Sequence, residues 1–144
     1  MTVGGYIREH SAKDARVAVI GSEPEIYFYA RRHSATGFLY TYPLMENHPY
    51  AAMMQRQMIS EIESGKPEYI VMVLNRYSWL FKESSDMEIL GWAQKYTAEH
   101  YDRIGIVDFS SGTPGLELWG GEAKNYQGRL EQFLDIYKRK PPPD

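Results

Sequence analysis

Polar residues able to bind or catalyse recur in this chain directly after short apolar runs. Ser22 and Glu23 follow the run ending at Ile20, and Tyr42 closes a second run. Asn75 and Arg76 follow Leu74, while Asp108 and Ser110 close a fourth. If those runs are parallel strands, the residues converge on one rim. A carboxylate, a guanidinium and a helix N-terminus there would hold an anionic or hydroxylated ligand. The competing reading is structural: Glu23 and Asp108 satisfy caps and turns, and Arg76 pairs with one of them. That reading is preferred, because strand-end position alone is an analogy. Tyr77, Trp79 and Phe81 alternate just beyond the third run, in an expected loop over residues 76–82. Exposed, they would stack on sugar rings or dip into an interfacial lipid layer; folded back, Trp79 and Leu80 would cover the core. The candidate ligand or partner rim is therefore Ser22, Glu23, Tyr42, Arg76, Asp108, Tyr77 and Trp79.

No catalytic set emerges from the residues alone. The turn Gly21-Ser-Glu-Pro24 lacks a glycine-rich dinucleotide fingerprint, and no G-x-x-x-x-G-K-[ST] string occurs. Glu23 and Glu25 would repel a phosphate there. His10, His33, His48 and His100 are scattered without metal-ligand spacing, so no metal site is assigned. Ser110-Ser-Gly-Thr113 lacks the nucleophile elbow. Cysteine is absent, which removes disulfides, thiolate zinc sites and cysteine nucleophiles together. No cofactor is implied. Arg31, Arg32 and His33 sit at an expected helix C-terminus, where cations complement the dipole; an anionic lipid head-group is their sharper reading. Lys and Arg number 16 against 19 Asp and Glu, with no basic run, which disfavours nucleic acid as a partner.

The elements that position these residues follow from periodicity and punctuation. The chain has 144 residues, 43% of them hydrophobic, enough for one domain with its own core. Residues 15–20, 38–42, 69–74 and 103–109 read as strands, and 116–119 as a strand antiparallel to the fourth. Ser22 and Glu25 form a capping box for a helix to about Arg32, and Ser85 and Glu88 a second box for a helix to His100. Residues 50–64 carry Met54, Met58, Ile59 and Ile62 on one helical face, and 125–139 are expected to form a final helix. The fold class is α/β: a single three-layer α/β/α domain with a mostly parallel sheet of about five strands, the last antiparallel. Residues 1–14 form a leading helix or linker, and 140–144 a disordered tail. No apolar stretch approaches the roughly 18 to 20 residues of a membrane span, and residues 1–5 lack signal-peptide character. The chain as given is expected to be soluble.

Three motifs, in order, resemble a known family. They are Gly21-Ser-Glu-Pro-Glu-Ile-Tyr27, Tyr40-Thr-Tyr-Pro-Leu44 and Lys66-Pro-Glu-Tyr-Ile70. The region they span is similar to the C-terminal soluble domain of bacterial membrane glycosyltransferases of the dolichyl-phosphate-mannose protein mannosyltransferase-like group, which includes the aminoarabinose transferases. The resemblance covers about half of the chain, and the order and spacing of the motifs carry it. It implies a non-catalytic, extracytoplasmic accessory domain beside the transmembrane part of a polyprenol-phosphate-sugar-dependent enzyme. Catalytic acids of such enzymes lie among transmembrane helices, so none transfers to this chain. Carbohydrate and lipid head-groups are the further partners it suggests. The residues alone leave open a stand-alone small-molecule-binding enzyme using the rim, or a protein-interaction module.

Overall fold

The computed structural model describes residues 2–127 and 132–143. Its elements run α1 (Val3–His10), β1 (Arg16–Ile20), α2 (Glu25–Ala30), β2 (His33–Ser34), α3 (Tyr42–Met45), α4 (Ala51–Gly65) and β3 (Tyr69–Leu74). They continue with α5 (Arg76–Trp79), α6 (Glu88–His100), β4 (Tyr101–Asp108), β5 (Leu116–Trp119), α7 (Gly121–Asn125) and β6 (Phe133–Arg139). The strands form one mixed sheet in the order β2-β1-β3-β6-β4-β5. The sheet is mixed rather than mostly parallel as expected: only the β2-β1-β3 end is parallel, because β6 inserts antiparallel to both β3 and β4, and β5 runs antiparallel to β4.

Successive strand residues point to opposite faces, and the core divides accordingly. Val17 and Val19 of β1 join Tyr69, Val71 and Val73 of β3 on one face, against Ile7 of α1 and Ile26, Tyr27 and Ala30 of α2. Ala18, Ile20, Ile70 and Met72 face the other way, onto Met58 and Ile62 of α4 and Ile89, Ala93 and Tyr96 of α6. Because β3 buries both faces, its sequence does not alternate in polarity, as expected for an interior strand. A smaller cluster of Ile106, Ala123 and Phe133 seats α7 on the far end of the sheet.

Four further expectations are corrected. Residues 125–139 do not form a helix: α7 ends at Asn125, and 133–139 make β6, so the sheet has six strands rather than about five. Residues 128–131 of that span lie outside the described residues. The strand expected at 38–42 is replaced by a two-residue β2 at His33–Ser34. Thr36 Oγ1 accepts from the Phe38 N–H at 3.2 Å and donates to the Phe38 carbonyl at 3.1 Å, turning the chain off the sheet. Neither capping box closes. Ser22 is drawn to Thr41, and Ser85 donates to the Met45 carbonyl at 2.6 Å, so α2 and α6 each start two residues later than expected. The disordered tail does not begin at Lys140. Its N–H donates to the His100 carbonyl at 2.9 Å, and its Nζ reaches the Ala98 and Glu99 carbonyls at 2.9 and 3.1 Å, closing the C-terminus of α6. Asp144 lies outside the described residues. The leading helix and the antiparallel pairing of β5 with β4 are as expected.

Two glycines in helices should respond oppositely to alanine. A Cβ on Gly4 would stand 2.7 Å from Tyr29 Cβ, 2.9 Å from Ala30 N and 3.0 Å from Ile26 O, the last two being α2 backbone that cannot yield locally. A Cβ on Gly91, inside α6, meets nothing within 4 Å. Gly91→Ala is expected to stabilise by up to about 1 kcal/mol through helix propensity. Gly4→Ala should destabilise by about 1–3 kcal/mol, because overpacking outweighs that gain. Urea titrations of both variants check the pair. Equal shifts would mean that α1 does not approach α2 this closely.

The interior strand β6 carries a buried carboxylate. Asp135 Oδ2 accepts from the Tyr137 hydroxyl at 3.2 Å, and Oδ1 lies 3.5 Å from Arg103 Nη1 without a hydrogen bond. Burial pushes the Asp135 carboxyl above its usual range, against the pull of Arg103 and Tyr137. With the folded value raised, the folded state holds this proton more tightly. The contribution to stability is full below the ordinary carboxylate range and is lost as pH rises through the folded value. Asp135→Asn should therefore flatten the fall in melting temperature over that window. Superimposable pH profiles for the two proteins would show that Asp135 ionises freely.

Candidate functional site

Because β6 is antiparallel to both β3 and β4, strands β1, β3 and β4 point the same way and their C-terminal ends share one edge. Ser22, Glu23, Asn75, Arg76 and Asp108 therefore follow strand ends along that one edge. Hydroxyl groups knit that rim together. The Ser22 N–H donates to Ser78 Oγ at 2.8 Å, and Ser78 Oγ donates to Glu23 Oε2 at 2.8 Å. The Thr41 N–H donates to Ser22 Oγ at 2.9 Å, and Thr41 Oγ1 donates to the Ser78 carbonyl at 3.2 Å. Three loops are joined through two buried residues, Thr41 and Ser78. Burial raises the Glu23 carboxyl above its usual range; Ser78 counters this and Glu25 adds to it.

The other rim residues separate. Asp108 is buried, with Oδ1 accepting from the Ser110 N–H at 2.8 Å and Oδ2 from the Tyr126 hydroxyl at 2.6 Å. Burial acts to raise its carboxyl, but these hydrogen bonds outweigh it and hold the value below the usual range. Arg76 is exposed at the start of α5, and no hydrogen bond or ion pair joins it to Glu23 or Asp108. Tyr42 opens α3, not a strand end, and stacks on Tyr40 with centroids 6.1 Å apart. The aromatic loop is a short helix. Asn75 Oδ1 caps it by accepting from the Tyr77 N–H at 2.9 Å. Tyr77 is 71% exposed, whereas Trp79 is fully buried. The Trp79 indole N–H donates to the Val73 carbonyl at 2.7 Å, and its ring stacks on Phe81 at 5.7 Å. Trp79 thus leaves the rim for the core, and Tyr77 stays exposed at it.

Beside the loops after β1 and β3, against the start of α1 and of α2, lies a crevice of about 350 Å³, with Thr2, Glu23, Glu25 and Asn75 at its polar side and Val73, Leu134, Phe109 and Tyr29 on its apolar walls. The chain leaves β1 toward α2 on one face and leaves β3 toward α6 on the other, so the crevice sits where the connections switch sides. Sequence reading missed Thr41, Ser78 and Phe109. Thr41 and Ser78 carry no local signal, because their partners lie 19 or more residues away. Among the described residues no group of three or more His, Asp or Glu is placed to hold a metal ion, and no helix is long and apolar enough to cross a membrane. No family model matches the chain, and neither a curated protein nor a solved structure does.

Proposed function

We propose that this chain is a non-catalytic accessory domain on the extracytoplasmic side of a polyprenol-phosphate-sugar-dependent membrane glycosyltransferase. The observation that supports the non-catalytic half is the state of the rim: Ser22, Glu23, Thr41 and Ser78 are bonded to one another, and Asp108 to Ser110 and Tyr126. Groups committed in this way build a rigid edge. The glycosyltransferase half rests on the three ordered motifs between Gly21 and Ile70. In the same reading, the α1–α2 and α4–α6 clusters are the outer layers of a three-layer α/β/α core. An antibody against the chain should detect, in washed membranes, a species far larger than 16.7 kDa that external protease cleaves in spheroplasts. A free 16.7 kDa band in the cytosolic fraction would overturn the reading.

The crevice at the switch point favours a second reading, a small-molecule-binding domain. Its ligand would be hydroxylated, since Glu23 accepts and Asn75 donates beside apolar walls. Monosaccharides and polyols should then raise the melting temperature of the wild type but not of Glu23→Gln. No shift with any of them would remove this alternative.

A further inference from the structure

Helix α2 turns Ile26, Tyr27 and Ala30 inward, which leaves Phe28 77% exposed and Tyr29 51% exposed. Their rings meet edge to face, 5.4 Å apart. Beside them is a concavity of about 610 Å³ lined by Arg8, Arg31, Arg32 and His33, and no carboxylate lines it. This concentration of positive charge stands out in a chain of net charge -3.

The three guanidiniums differ in how they are held. Arg32 is buried and spends its donors on the Arg8, Ser11, Ala30 and Arg31 carbonyls and the Ser11 hydroxyl, so its charge fixes the ends of α1 and α2 without a carboxylate partner. Arg31 is the left-handed C-cap of α2, with φ 52°, and its exposed guanidinium has no hydrogen bond or ion pair among the described residues. Arg8 contacts Glu9 at 3.9 Å on the open surface, a pairing too weak to neutralise it.

We propose that this α1–α2 face, with Phe28 and Tyr29 flanked by Arg8, Arg31 and His33, docks on an anionic lipid bilayer. Two projecting aromatic rings on a six-residue helix are far smaller than the roughly 800 Å² that a stable protein partner covers on each side. An interfacial lipid layer needs no such area. It accepts aromatic rings at head-group level, while cations beside them meet the negative surface. The inference goes beyond the accessory-domain reading, because it needs only a bilayer and holds whether or not the chain belongs to a glycosyltransferase.

The test is co-sedimentation of the full chain with vesicles of phosphatidylcholine alone or mixed with phosphatidylglycerol. Binding should appear with the anionic vesicles and fall as salt is raised. Arg31→Glu should weaken it by about tenfold or more, from the loss and reversal of one charge near the surface. Phe28→Ser should also weaken it, with an unchanged melting temperature. Lys95→Glu, the same charge change on α6, should leave binding within about twofold, since only charges near the surface contribute. The proposal is overturned by absence of binding to anionic vesicles, or by binding that Arg31→Glu and Phe28→Ser leave intact. Equal competition by soluble glycerol phosphate or an acidic peptide also overturns it, by showing a general anion site.

Discussion

Val71→Asp is expected to yield no soluble folded protein. Val71 is fully buried in β3, paired in register with Val19 of β1 and Ile136 of β6, and packed with Ile7 and Ile26. A carboxylate there has no cation within its cluster. Burying an unpaired charge costs several kcal/mol, which is comparable with the whole stability of a small domain at about 5–15 kcal/mol. Val71→Ala, which removes volume without adding charge, should stay folded with a lower melting temperature. Far-ultraviolet circular dichroism and the soluble yield separate the two. A soluble Asp variant melting with the wild type would mean that β3 is not interior.

Trp79→Ala should cost about 3–5 kcal/mol, the usual price of deleting a large buried aromatic. The variant also strands the Val73 carbonyl, which loses its indole donor, and takes the stacking partner from Phe81. Trp79→Phe should cost less, because it keeps most of the packing and gives up only the hydrogen bond. With Trp92 and Trp119 replaced by Phe, the remaining Trp79 should emit in the blue and resist acrylamide. Red-shifted, readily quenched emission would return this side chain to the surface.

How much was legible depended on whether local pattern and tertiary position agreed. The β1, β3 and β4 runs and α4 were readable because their apolar spacing matches their burial. β6 was not. Phe133, Leu134 and Tyr137 fall at helical spacing, and Asp135, Lys138 and Arg139 look like a solvated face. The sheet overrides this by pairing the segment on both sides and giving Asp135 the company of Arg103 and Tyr137. At the rim, Ser22, Glu23 and Asp108 could be placed because they follow strands. Thr41 and Ser78 could not, since each acts only by meeting loops distant in the chain. Arg32 was legible as a cation at a helix end. Its capture by two helices at once was not, because the approach of α1 to α2 has no sequence periodicity.

The order β2-β1-β3-β6-β4-β5 has a consequence for biogenesis. The strand synthesised last of the six lies third from one end and joins two groups made earlier. A nascent chain can assemble β1, β2 and β3 with α2 and α4, and can form the β4–β5 hairpin, but these two half-sheets have no partner until residues 133–139 leave the ribosome. Until then β3 and β4 both present bare, largely apolar edges, which are templates for pairing with other chains. Of the two pairings that close the sheet, β3–β6 joins segments farther apart in sequence than any other pair of strands, the kind of contact that forms slowly. The growing polypeptide therefore passes through an interval with two unpaired sheet edges, and loss of residues 133–139 is more damaging here than loss of an edge strand such as β5.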